Sequence, residues 1–315
     1  MYSSVGLILA SIVLLYFGAD LLVKGSSRLA LRMKVAPLIV GLTVVAFGTS
    51  MPEMIVSLKA SFSGNSALSL GNVLGSNVFN LCVILGLASL IHPLRVQSGL
   101  VRRDVPVVIL SSFLVILFFR DGVLSRVESL AFLFFFLVYT GWTIRPALKK
   151  KEKTFNDEFK EYLSPKTSTP LLCLLFIGVG LGLLVGGAHF LVLGSVSLAR
   201  YFGVSEAVIG LTIVAAGTSL PELATSVVAA LKKEPDISVG NIIGSNIFNI
   251  LAVLGGAGAV RPLVANGITW TDMGAFVLAS CLAFPFLKSG FRLSRPEGGI
   301  LFTLYIVYMI LLWPH

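Results

Sequence analysis

Two glutamates, Glu53 and Glu222, occupy the same setting, G-T-S-x-P-E, 169 residues apart in apolar sequence. An ionisable side chain inside a membrane span costs at least about 2.5–3.5 kcal/mol, so carboxylates at matched positions read as a functional site. Their neighbours are oxygen donors. Ser50, Glu53 and Ser57 fall three and four apart and share one helical face. Pro52 lacks an N–H and crowds the carbonyl one turn back, so carbonyls from Ala46 to Thr49 are expected to lose helix partners. A second polar stripe, Ser69, Asn72, Ser76 and Asn80, returns as Ser238, Asn241, Ser245 and Asn249. Carboxylates, hydroxyls, amides and freed carbonyls suit a hard cation such as Ca²⁺, which takes six to eight oxygens at about 2.3–2.6 Å. Two glutamates balance one Ca²⁺ or two Na⁺. Transition metals favour His or Cys ligands, which these stripes lack.

These residues belong to a long duplication. Residues 41–86 return at 210–255 without a gap, identical at 22 of 46 positions. The same offset relates Gly18 to Gly187, Gly25 to Gly194 and Pro93-Leu94 to Pro262-Leu263. Taken alone, Gly71, Gly75, Gly240 and Gly244 among small polar residues read as helix-packing contacts. Duplicated beside two buried carboxylates, they read as the walls of a site.

The elements that must position this site are membrane helices. The chain has 315 residues, 56% hydrophobic and 12% charged, against roughly 25% charged in soluble domains. Spans of about 20 apolar residues fall at 4–29, 35–62, 67–91, 104–119, 127–147, 170–199, 205–231, 237–260, 271–288 and 298–313. The expected fold is therefore an all-α membrane protein of ten transmembrane helices, in two five-helix repeats, 1–148 and 170–315, joined by a polar linker at 149–169. Five is odd, so the second repeat enters the membrane from the other side and the repeats are inverted. Broken second, third, seventh and eighth helices are expected to form the central ion site. With the N-terminus outside, inner loops and span ends hold eighteen Lys and Arg, the outer side four (Arg120, Arg126, Arg200 and Arg261), and Lys24 and Lys59 lie within spans. The positive-inside rule then predicts both termini extracytoplasmic and the linker cytoplasmic, in a multi-pass cell-membrane protein. The linker alternates charges and reads as a solvated connector or a short surface helix. The net charge of +9 is distributed over loops and does not indicate nucleic acid. Cys82, Cys173 and Cys281 are widely spaced in apolar stretches and suggest neither a disulfide framework nor a metal site.

At G-T-S-x-P-E and G-N-x-x-G-S-N-x-x-N, each present twice in matched order, the chain resembles the Na⁺/Ca²⁺ exchangers of the cation/Ca²⁺ antiporter superfamily, of prokaryotic type. The resemblance implies Glu53 and Glu222 as central Ca²⁺ ligands shared with Na⁺. Carbonyls of Ala46, Thr49, Ala215 and Thr218 and hydroxyls of Ser50 and Ser219 complete these sites, Ser76 and Ser245 line outlying Na⁺ positions, and Asn80 and Asn249 flank the centre. Many relatives carry Asp at the position of Asn249, tied in K⁺-dependent members to K⁺ use, so Asn here argues against K⁺ co-transport.

The implied activity is alternating-access antiport of Na⁺ for Ca²⁺ by a monomer with no cofactor, with Ca²⁺ extrusion driven by the Na⁺ gradient. The first and sixth spans slide against the other eight, and Gly18, Gly25, Gly187 and Gly194 let them pass close to their neighbours. The nearest alternative is a Ca²⁺/H⁺ antiporter, in which the glutamates carry protons. A cation channel is more distant, and no nucleophile–base pair suggests an enzyme. Asp20 and Lys24 read as an i,i+4 ion pair with Lys24 snorkelling, or as a gate. His189, at the repeat position of Asp20, reads as a polar residue in a helix contact or a proton site.

Overall fold

The computed structural model describes residues 2–149, 169–203, 215–265 and 268–312. All but the ends of the 149–169 linker, and residues 205–214 of the seventh expected span, lie outside the described residues. In chain order the helices are α1 (Tyr2–Met33), α2 (Pro37–Thr49), α3 (Met51–Phe62), α4 (Ser66–Ile91), α5 (Ser98–Phe118), α6 (Arg126–Lys149), α7 (Pro170–Tyr201), α8 (Ala215–Gly217), α9 (Leu220–Leu231), α10 (Pro235–Val260), α11 (Trp270–Lys288) and α12 (Arg295–Leu312). Among the described residues six helices are long and apolar enough to cross a membrane, or seven if the bent pair α2–α3 is one span.

Burial departs from that of a soluble protein in its apolar exterior and its buried polar groups. Leu9, Leu110, Leu137 and Leu171 are more than half exposed, while Glu53, Glu222, Asn80, Asn241 and Asn249 are wholly buried. Apolar side chains turned outward and polar ones inward suit a lipid exterior, where backbone polar groups must be satisfied within the helices. The core is built from α4 and α10, with α5, α6, α11 and α12 packed around them.

The two halves are related by an inversion that two short ladders reveal. Strand β1 (Leu94–Arg95) pairs antiparallel with β4 (Arg292–Leu293), and β2 (Val123–Leu124) with β3 (Leu263–Val264). Under the 169-residue offset β1 corresponds to β3, and β2 to β4. Strand β1 precedes α5 and β2 follows it, so they lie about 30 Å apart across a 21-residue helix. Because β3 pairs with β2, the repeat counterpart of β1 sits at the opposite end of the molecule.

The second expected span bends by 45° at Ser50, where α2 meets α3. Ser50 adopts φ −85°, ψ 8°, and its counterpart Ser219 adopts φ −89°, ψ 6° between α8 and α9. This bridge region of the backbone map is common at active sites. The third and eighth helices are not broken, contrary to the sequence expectation. Each runs through a π stretch instead, Phe79–Ile84 in α4 and Asn249–Leu254 in α10. Such a stretch shifts the hydrogen-bond ladder without interrupting it, and π turns recur at functional sites.

The fourth expected span, α5, begins at Ser98, six residues before the expected 104, so Arg102 and Arg103 are helical. Arg103 is satisfied there, donating to buried Asp104 from Nε (3.0 Å) and Nη2 (3.1 Å). Tyr139 Oη donates to the same carboxylate at 3.0 Å.

Candidate ion site

Glu53 follows Pro52 in the first turn of α3, and Glu222 follows Pro221 in the first turn of α9. A helix N-terminus carries free N–H groups and a partial positive charge, so it tolerates a carboxylate. Each proline sits where its missing N–H would have no helix partner anyway. The bends at Ser50 and Ser219 thus create two helix starts inside the molecule, each carrying a glutamate.

The bonds from these bends cross between the halves. Ser50 Oγ donates to Glu222 Oε1 at 2.7 Å, and Ser219 Oγ donates to Glu53 Oε1 at 2.9 Å. Thr49 Oγ1 donates to Asn241 Oδ1 at 3.0 Å, and Thr218 Oγ1 to Asn72 Oδ1 at 3.2 Å. Each bond has its partner at the 169-residue offset, the reciprocal pattern of a two-fold contact. Within a half, Asn72 Nδ2 donates to Glu53 O at 3.2 Å and Ser57 Oγ at 2.9 Å. Asn241 Nδ2 repeats this with Glu222 O at 3.4 Å and Ser226 Oγ at 3.0 Å. The site therefore stands on a closed polar ring in which each glutamate is held by the opposite half.

The ring leaves acceptors over. Glu53 Oε2 and Glu222 Oε2 are buried without a hydrogen-bond partner, as are Ser76 Oγ, Ser245 Oγ and both polar side-chain atoms of Asn80 and Asn249. Buried polar groups without partners are few in native proteins and mark an ion, a water or a functional site. Thr49 and Ser245 face the Glu222 carboxylate, and Thr218 faces that of Glu53. Asn80 lies within the π stretch of α4, and Asn249 opens that of α10. The donor set is all oxygen with two carboxylates, which fits a hard cation.

One expectation needs correcting. The Ala46 carbonyl keeps a helical bond, accepting from the Ser50 N–H at 3.0 Å and from Thr49 Oγ1 at 3.4 Å. Pro52 removes the N–H that would reach the Gly48 carbonyl, two residues past Ala46, and a carbonyl's second lone pair remains available. In the second copy the Ser219 N–H instead bonds Ala216 O at 3.2 Å, while Ala215 lies at the edge of the described residues.

The sodium/calcium exchanger protein family profile matches residues 3–145 and 172–313, covering both repeats. The chain belongs to the sodium/calcium exchanger family. Membership makes it a multi-pass cation/Ca²⁺ antiporter, a transporter and not an enzyme. Among its relatives, the inner membrane protein YrbG of Escherichia coli is 35% identical, over 99% of this chain and 98% of that protein. The sodium/calcium exchanger MaX1 of Methanosarcina acetivorans is 30% identical, over 98% and 97%. Among solved structures, the sodium-calcium exchanger NCX_Mj soaked with Na⁺ and Ca²⁺ matches with a TM-score of 0.85 at 31% identity, covering 99% of each chain.

In this exchanger-family chain the two 32-residue helices, α1 and α7, pack against each other along their length. A methyl on Gly18 would lie 2.9 Å from the Gly180 carbonyl, and one on Gly194 would lie 2.9 Å from the Ser4 carbonyl. Asp20 pairs with Lys24 at 2.7 Å, as spaced, but also with Lys232 just past the end of α9. That second partner, 212 residues away, left no signal in the sequence. His189 is exposed, its ring tilted beside that of Phe190. Asn72 and Asn241 were visible as members of the stripes, yet their part in holding Glu53 and Glu222 emerges only from the geometry.

Proposed function

We propose that this chain exchanges Na⁺ for Ca²⁺ by alternating access, with Glu53 and Glu222 as ligands shared by both ions. The observation that carries this reading is the crossed pair Ser50–Glu222 and Ser219–Glu53, each carboxylate keeping one buried oxygen without a partner. Two such oxygens from opposite halves supply the charge of one Ca²⁺. The hydroxyls of Ser50 and Ser219 and the carbonyls of Ala46, Thr49, Ala215 and Thr218 add further oxygens. Ser76 and Ser245 offer outlying positions suited to Na⁺, and Asn80 and Asn249 flank the centre. The same carboxylates cannot serve Ca²⁺ and its replacing Na⁺ at once, which couples the two fluxes.

Ten spans in two inverted repeats, with both termini extracytoplasmic and the linker cytoplasmic, complete the reading. The α1–α7 pair slides across the core and exposes the site to each side in turn. A site without cations holds two uncompensated charges, which opposes passage through the closed barrier. Beyond two Na⁺ per Ca²⁺, each net charge moved adds about 2.3 kcal/mol per 100 mV, so inward Na⁺ drives Ca²⁺ out. Neutral Asn249 supports exchange without K⁺. The names of MaX1 and NCX_Mj support Na⁺ as the coupling ion. The test is Ca²⁺ uptake into proteoliposomes under Na⁺, H⁺ and K⁺ gradients in turn. Uptake should follow the Na⁺ gradient alone; uptake that follows only the pH gradient would overturn the Na⁺ assignment.

A further inference from the structure

The inverted repeat builds the same surface cleft twice, at opposite ends of the α5–α11 pair. One cleft, of about 330 Å³, is lined by Val101, Arg102, Pro106, Phe284, Lys288 and Phe291. The other, of about 280 Å³, includes Phe119, Arg120, Gly122 and Trp270 in its lining. The 169-residue offset carries 101 onto 270, 119 onto 288 and 122 onto 291, so the clefts are two copies of one shape. Their charges differ. Where the first cleft has Arg102, the repeat has Thr271; where it has Lys288, the repeat has Phe119.

Arg102 and Lys288 are exposed and, among the described residues, neither has an acidic partner. The Lys288 ammonium lies 5.4 Å above the Phe284 ring, which holds it at the cleft wall. Phe291, on the other wall, is held at φ +51°, a conformation a bulky residue rarely adopts. Its carbonyl accepts from the Val96 N–H at 2.8 Å, which ties the turn to the other repeat. Two unpaired cations thus stand on an apolar cleft at the end of membrane helices, beside the Leu94–Leu293 ladder.

We propose that this cleft binds an anionic phospholipid from the leaflet it faces. Arg102 and Lys288 would take the headgroup phosphate, and Val101, Pro106, Phe284 and Phe291 the upper part of an acyl chain. Basic pockets between membrane helices recognise acidic headgroups in this manner. The pseudo-symmetric cleft has Arg120 alone in place of a cation pair and should show a weaker preference, so the proposed lipid binding favours one face of the transporter.

The test is native mass spectrometry of the full-length protein, equilibrated with equal amounts of phosphatidylglycerol and phosphatidylcholine. Two surface cations predict a phosphatidylglycerol preference of roughly tenfold to thirtyfold. The Arg102→Gln/Lys288→Gln double variant should fall to near parity, and Lys288→Gln alone should lose part of the preference. The control pair Arg95→Gln/Arg292→Gln removes equal charge from exposed positions outside the cleft and should keep it. An unchanged preference in both cleft variants would overturn the proposal. So would an equal loss in the control pair, which would assign the effect to general surface charge, or no preference in the native chain.

Discussion

Removing one hydroxyl should weaken Ca²⁺ binding through the opposite half of the molecule. Ser50→Ala deletes the donor that reaches Glu222 Oε1 at 2.7 Å, on a carboxylate whose Oε2 has no hydrogen-bond partner. A buried hydrogen bond to a charged group contributes about 1.5–3 kcal/mol. Glu222 then loses its orientation across the two-fold, and the half-saturating Ca²⁺ concentration should rise roughly 10- to 150-fold. Ser219→Ala deletes the mirror bond to Glu53, 2.9 Å long, and should have an effect of the same order. Both are measured as Ca²⁺ uptake into Na⁺-loaded proteoliposomes across a Ca²⁺ series, with protein amount normalised. A shift under twofold in both variants would refute the orienting role. Effects differing by more than about tenfold between the two, on the same energy scale, would refute the two-fold equivalence of the halves.

Further outcomes follow from packing and charge. Gly244→Ala places a methyl 2.6 Å from the Leu42 carbonyl and should destabilise by about 1–3 kcal/mol, whereas Gly274→Ala, inside α11 with nothing within 4 Å, should not lower the melting temperature in detergent. Tyr139→Phe strips a donor from wholly buried Asp104 and should lower the melting temperature more than Tyr308→Phe, which strips one from partly exposed Asp272. Equal effects would contradict the burial argument. Glu234, in the turn before α10, has its carboxyl pushed up by burial and by neighbouring Asp236. Its charged form is disfavoured in the folded state, a penalty present above the raised value and gone once pH falls below the ordinary glutamate range. Glu234→Gln should therefore melt higher than the native chain at pH 8, with the difference closing by about pH 4.

Much of the site was legible because the chain states it twice. A lone glutamate beside a proline is ambiguous; two at a fixed offset, each with a Ser/Asn stripe, point to one shared centre. An inversion was expected from counting spans, and the two ladders place the repeat counterpart of β1 at the opposite end of the molecule. What escaped is contact at long sequence separation. Ser50 and Glu222 are 172 residues apart, and no local pattern announces that each serine serves the other half's carboxylate. Lys232 as a partner of Asp20 is hidden for the same reason. The early start of α5 was missed because Arg102, Arg103 and Asp104 look like a loop until Tyr139 closes around the carboxylate. The π stretches were read as breaks, because glycine and asparagine in an apolar helix mark an irregularity without saying which kind.

The claim on which the account turns is that one carboxylate from each half holds the cation, and that Na⁺ displaces Ca²⁺ from the same pair. Equilibrium ⁴⁵Ca²⁺ binding to purified protein, titrated with Na⁺, measures this directly in the native chain and in Glu53→Gln and Glu222→Gln. Competitive displacement by Na⁺ is predicted in the native chain, with Ca²⁺ binding abolished alike in the two variants. Native-like Ca²⁺ binding in either variant, or Ca²⁺ binding indifferent to Na⁺, would contradict it.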